Sequence, residues 1–113
     1  MAIPGADRAV VETAKVRDYL LSDSHPVGRF KAAFFTALGY SATGWGVLAE
    51  DLRGHLTRHE AVPTELNAFG QKHEVRGSIE GPTGRKAVLV AVWIVLGTED
   101  FPRFVTAFPG TSS

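Results

Sequence analysis

GQKHEVRGSIEGPTGRKAVLVAVWIVL, residues 70–96, decides the fold. From His73 to Glu80 polar residues alternate with Val75, Gly77 and Ile79, the two-residue period of a strand with one buried face. GPTG, residues 81–84, is turn chemistry, and no helix follows it, so it is not a nucleotide-binding loop. The run from Arg85 to Leu96 is dominated by β-branched residues and reads as a long second strand. If GPTG closes the hairpin tightly, Glu80 faces Arg85. His73, Val75, Gly77 and Ile79 then share a face with Val92, Val90, Val88 and Lys86. The other face carries Lys72, Glu74, Arg76, Ser78 and Glu80, with Ala91 and Trp93 across from them. A slip of one residue would exchange the two faces.

Downstream, GTEDFP is a loop and RFVTAF a last strand. Arg103 and Thr106 are three apart, so strand parity sends them to opposite faces. Upstream, the period becomes helical. Residues 6–21 read as a first helix, with Val10, Val11, Ala14 and Leu21 at helical spacing. A second begins near Pro26, capped by Ser24 or His25, and stops at Gly39; Phe30, Phe34, Ala37 and Leu38 form its apolar stripe. Residues 43–58 read as a third, with Leu48, Leu52 and Leu56 every four residues. VPTEL, residues 62–66, supplies a possible fourth strand. Helices followed by hairpins predict an α+β fold, with N-terminal helices on one face of a three- to four-stranded antiparallel sheet. The expected organisation is one domain over residues 1–110 and a disordered tail at 111–113.

The composition is that of a globular chain: 44% of its 113 residues are hydrophobic. It has no cysteine, which excludes disulfides and thiolate metal sites. His55 and His59, four apart, are the nearest approach to a metal-binding pair; the expectation is no metal and no cofactor. No apolar run reaches the ~20 residues of a membrane helix, and no membrane partner is expected. A formal net charge of zero argues against broad, tight binding of nucleic acid, and leaves room for a local cationic groove.

Several side chains carry potential chemistry. At 100° per residue, Lys31 falls on the flank of the Phe30 stripe, between Leu38 and Phe35. It either snorkels, with its ammonium in water, or reaches a groove against the sheet and meets a phosphate. His25 precedes a proline at a helix N-terminus, a place that attracts anions. It reads as a cap or as an acid or base. Arg76 and Arg103 are candidates to hold phosphate oxygens, Trp93 is a packing residue or a base-stacking platform, and His73 is a structural or a catalytic strand histidine.

Three segments, YLLSDSHPVGRFKAAFF, the run from FGQKHEVRGSIEGPTGR to AVWIV, and PRFVTAFP, together resemble a family of small bacterial domains of unknown function. Its members occur alone and at the C-termini of polymorphic secreted toxins. The resemblance covers roughly residues 15–109. More distantly, the architecture resembles the barnase–EndoU–colicin–RelE superfamily of ribonuclease toxins. That resemblance implies a metal-independent endoribonuclease that uses the ribose 2′-OH as nucleophile. It implies His25, Lys31, Arg103 and Thr106 as catalytic residues, and Arg29, His73, Arg76 and Trp93 as substrate contacts. His73 departs from the aromatic expected at its position. The implied partners are RNA, such as one tRNA or ribosome-bound mRNA, and a cognate antitoxin or immunity protein. The implied place of action is the cytoplasm, reached in some cases as part of a secreted effector. The competing expectation is a partner-binding module without catalysis, an antitoxin- or immunity-like component of a two-gene pair.

Overall fold

A computed structural model of the chain describes residues 3, 5–21 and 29–110, and all side chains among them except those of Tyr19, Arg29 and Phe30. The expected caps at Ser24 and His25, the start at Pro26 and the tail at 111–113 lie outside the described residues.

The architecture is α+β, as expected. The described helices precede a four-stranded antiparallel sheet in the order β1-β2-β3-β4, formed by β1 (Ala61–Leu66), β2 (Gly70–Glu80), β3 (Lys86–Leu96) and β4 (Pro102–Pro109). VPTEL is the fourth strand. Pro63 faces His73 within it. Proline lacks an N–H, and an edge strand is where a sheet tolerates that.

The β2–β3 register differs by one residue from the sequence expectation. Glu80 pairs with Lys86 and His73 with Trp93. The Gly81 N–H donates to the Arg85 carbonyl at 2.9 Å, so the ladder runs one residue further and the loop is only Pro82–Gly84. Gly84 ends that loop at φ 86°, which suits glycine, as three-residue hairpin loops require. The consequence is the exchange of faces. Val75 and Ile79 do face the helices, but opposite them stand Ala91, Trp93, Leu89 and Ala87, not Val92, Val90, Val88 and Lys86. Val75, Leu89, Ala91 and Trp93 are fully buried. Lys72, Glu74, Arg76 and Ser78 keep the other face, with Ile94, Val92, Val90 and Val88 across from them.

A second correction concerns β4. Trp93 pairs with Phe104 but Val92 pairs with Thr106, so Val105 is an extra residue at a bulge. Arg103 pairs with Ile94 and Thr106 with Val92. Ile94 and Val92 are two apart on β3, so the bulge cancels the odd spacing and brings Arg103 and Thr106 to one face of the sheet.

The expected first helix is three pieces. Ala6–Arg8 is a short 3-10 turn, α1 is only Thr13–Lys15, and Val16–Leu20 continues it as a π-helical turn. Between them Val10 forms a parallel bridge to Arg103. Its N–H donates to the Pro102 carbonyl at 3.0 Å, and its carbonyl accepts from the Phe104 N–H at 2.9 Å. The chain gives up helix at β-branched Val10 and Val11 because an edge strand offers backbone partners and a buried place for Val11.

The described part of the second helix is α2 (Arg29–Ala37); the third is α3 (Trp45–Arg58). Leu48, Leu52 and Leu56 of α3 are all buried. The buried face of α2 is centred on Phe35, with Ala32 and Leu38 beside it, while Phe34 is half-buried and Ala37 exposed. Gly39 ends α2 at φ 101°. Tyr40, 2% exposed, follows, and its phenol donates to the Asp51 carboxylate at 2.6 Å, joining the loop after α2 to α3. Burial and this carboxylate together push the Tyr40 pKa well above its ordinary value. Tyr40→Phe leaves the Asp51 carboxylate short of its partner and is expected to cost about 1–3 kcal/mol, measurable as a shift in the urea midpoint at unchanged slope.

Candidate functional site

Lys31 stands one turn before Phe35, only about 40° from it around the helix. The actual phase of α2 therefore puts this lysine within the buried arc of the helix, not on its flank. Its Nζ donates to the Thr106 hydroxyl at 2.8 Å. The two residues are 75 positions apart in sequence, and both are half-buried. An ammonium held on a hydroxyl at a helix–sheet junction is a compact donor pair for an anionic ligand.

Arg103 reaches the same face of β4 through the bulge, but it is engaged. Its Nε and Nη2 donate to the two carboxylate oxygens of Glu99, each at 2.8 Å. Its Nη1 lies 3.5 Å from Glu12, and its guanidinium stacks 5.3 Å from the Phe101 ring centroid. The Arg103 hydrogen bonds hold the Glu99 carboxyl below its ordinary pKa. Sequence reasoning missed Glu99 and Glu12. The four-residue spacing of Glu99 and Arg103 was visible, but the loop between them gave no helical reason to pair them.

The other candidate residues sit elsewhere. Trp93 lies directly across from His73 on the helix-facing side, is fully buried and packs edge-on against Phe104 with ring centroids 5.4 Å apart. Its position is that of a packing residue; the corrected register removes it from the open face where a base could stack. His73 is half-buried beside it; burial lowers its pKa, against the weaker opposing effect of the Gln71 backbone carbonyl. Arg76 is on the same face of the sheet as Arg103 and Thr106, across from Val90. His25 and the Arg29 side chain lie outside the described residues.

At the far end of α3, His55 and His59 lie with ring centroids 4.8 Å apart. Each has its Nε2 on a β2 carbonyl: His55 on Gly77 at 3.1 Å and His59 on Ser78 at 3.0 Å. The His59 ring occupies the space that a Cβ at Gly77 would need, so this close approach depends on glycine there. His55 is fully buried, and burial lowers its pKa more than the Gly77 carbonyl raises it. A histidine whose folded pKa lies below its unfolded value of 6.5 is neutral in the fold and takes up a proton on unfolding. Stability from His55 and His73 is therefore complete above pH ~6.5 and lost as the pH falls below it. Thermal unfolding from pH 7.5 to 5.0 is expected to show a falling Tm, with a shallower fall in His55→Gln; equal slopes in the two proteins would contradict this.

A solved chain with the same architecture comes from a contact-dependent growth inhibition toxin–immunity protein complex of Klebsiella pneumoniae 342. The likeness covers 95% of this chain and 97% of that chain with a TM-score of 0.67; at 20% identity it is a likeness of fold. A search of the curated proteins found no match. A family model, the domain of unknown function DUF6883, matches residues 2–111. That match spans nearly the whole chain, and the chain belongs to the DUF6883 family.

Proposed function

We propose that this domain is a metal-independent endoribonuclease toxin, restrained by a cognate antitoxin or immunity protein. The observation that carries the reading is the Lys31–Thr106 hydrogen bond, which places a cation and a hydroxyl donor at the edge between α2 and β4. The solved chain of like fold belongs to a complex whose name pairs a toxin with an immunity protein, which agrees with the reading.

In RNA cleavage the ribose 2′-oxygen forms a bond to phosphorus while the bond to the 5′-oxygen breaks, leaving a 2′,3′-cyclic phosphate. A base takes the 2′-OH proton and an acid gives one to the 5′-oxygen. His25 is assigned one of these two roles. Lys31 balances the charge that builds on the phosphorane, and Thr106 donates to a phosphate or ribose oxygen. Arg103 can add its charge only by exchanging Glu99 for a phosphate. With zero net formal charge, the domain suits one structured target, such as a tRNA or a ribosome-bound message, better than bulk RNA. The toxin acts in the cytoplasm, delivered in some cases as part of a secreted effector.

The fully ion-paired Arg103 favours a second reading, a non-catalytic partner-binding component of the same kind of pair. Induced expression separates the two. Growth arrest with discrete RNA fragments from the unaltered chain, absent in His25→Ala and Lys31→Ala, supports the nuclease. Normal growth and intact RNA at good soluble expression would sink it and leave the binding component.

A further inference from the structure

β2 is eleven residues long, but β1 covers only its first half: the pairing runs from Leu66 with Gln71 to Ala61 with Val75. No strand lies outside Arg76–Glu80 among the described residues. The hydrogen bond from the Gly81 N–H to the Arg85 carbonyl turns the backbone of Gly81 toward β3. Alternation then turns the N–H and C=O groups of Glu80 and Ser78 the other way, toward the uncovered edge. The Gly110 N–H, which donates to the Val88 carbonyl at 2.8 Å, agrees, because Val88 is the partner of Ser78 and faces β4.

This edge opens into a cavity of about 640 Å³ lined by Asp51, Arg58, His59, Ser78, Glu80 and Lys86. Part of its hydrogen-bonding capacity is used. His59 holds the Ser78 carbonyl at 3.0 Å, and Asp51 accepts the Tyr40 phenol at 2.6 Å. The Glu80 carbonyl lies 3.4 Å from the same phenol, whose one proton is on Asp51. The Glu80 carboxylate lies 3.9 Å from Lys86. What remains is a row of outward backbone donors at Ser78 and Glu80, and the Arg58 and Lys86 cations.

The geometry points to this cavity as a docking groove for an extended peptide segment with one acidic side chain, added to the sheet where β1 ends. Ser78 and Glu80 are two residues apart, so their N–H groups are about 6.7 Å apart. That spacing matches alternate carbonyls of an extended chain, whereas the oxygens of a single phosphate are too close together to accept from both. Arg58 and Lys86 flank the row and receive a carboxylate. Asp51 and Glu80 cancel the two cations, which suits an isolated carboxylate and disfavours a polyanion. The groove lies apart from the Lys31–Thr106 pair, and its test reads binding alone, so it stands or falls independently of RNA cleavage.

The test is an amide titration of the isotope-labelled full chain with two synthetic extended peptides of about eight otherwise uncharged residues, one with a single central glutamate and one with a single central lysine, and with inorganic phosphate. The glutamate peptide should shift the Ser78 and Glu80 amides, and the lysine peptide should bind at least roughly tenfold more weakly. Arg58→Gln and Lys86→Gln, each with an otherwise unchanged spectrum, should weaken the glutamate peptide. Silent Ser78 and Glu80 amides, equal binding of both peptides, equal shifts from phosphate alone, or unweakened binding in both variants would each overturn the proposal.

Discussion

Lys31→Ala is expected to lower RNA cleavage roughly 100- to 1,000-fold, the loss seen when one preorganised donor to a developing oxyanion is removed. The ammonium is held on the Thr106 hydroxyl at 2.8 Å, so the fold fixes its position. It is half-buried, where water screens it less than at an open surface. Lys31→Arg should recover little, because a planar fork does not replace a compact point charge on a short path to one oxygen. Thr106→Val keeps the β-branched shape and removes the hydroxyl, so it should reduce cleavage with little change in stability. The measurement is the initial rate of cleavage of total RNA by purified domain, with thermal melts run in parallel. A Lys31→Ala rate within threefold of the unaltered protein, at equal Tm, would remove Lys31 from the chemistry and with it the main support for the nuclease reading.

Trp93→Ala is expected to destabilise the domain by about 3–5 kcal/mol, the cost of emptying a large aromatic site in a core. The indole is fully buried between the sheet and the helices and packs on Phe104. Domains of this size have about 5–15 kcal/mol of stability, so much of the population is expected to unfold or precipitate at 37 °C. Trp93→Phe should cost far less. It keeps an aromatic ring, and it removes an indole N–H that has no hydrogen-bond partner among the described residues. Urea unfolding followed by circular dichroism gives both values. A Trp93→Ala change within about 0.5 kcal/mol of zero, as for an ordinary surface substitution, would contradict the buried placement and restore the stacking role.

Much of this architecture was legible in residue patterns. The two-residue period from His73 to Glu80, the leucines every four residues in α3 and the turn chemistry of GPTG determined the elements and the α+β class. Each rests on local chemistry that a short window contains: where apolar groups recur, which residues accept a turn, and which cannot donate. Lys31 was also marked by its helical phase, and Thr106 by the family resemblance alone.

Only the tertiary structure decided which of these residues meet. The loop closes over three residues and not four because Gly81 still takes a ladder hydrogen bond. That single residue moves Trp93 from the open face into the core. The bulge at Val105 puts Arg103 and Thr106 on one face, against the parity of an unbroken strand. The rotation of α2 about Phe35, and with it the reach of Lys31 to Thr106, depends on how the helix seats on the sheet. In each case the deciding term is a contact between residues distant in sequence, where alternatives one residue or a few tens of degrees apart look alike to local pattern and differ only in what packing and long-range hydrogen bonds make of them.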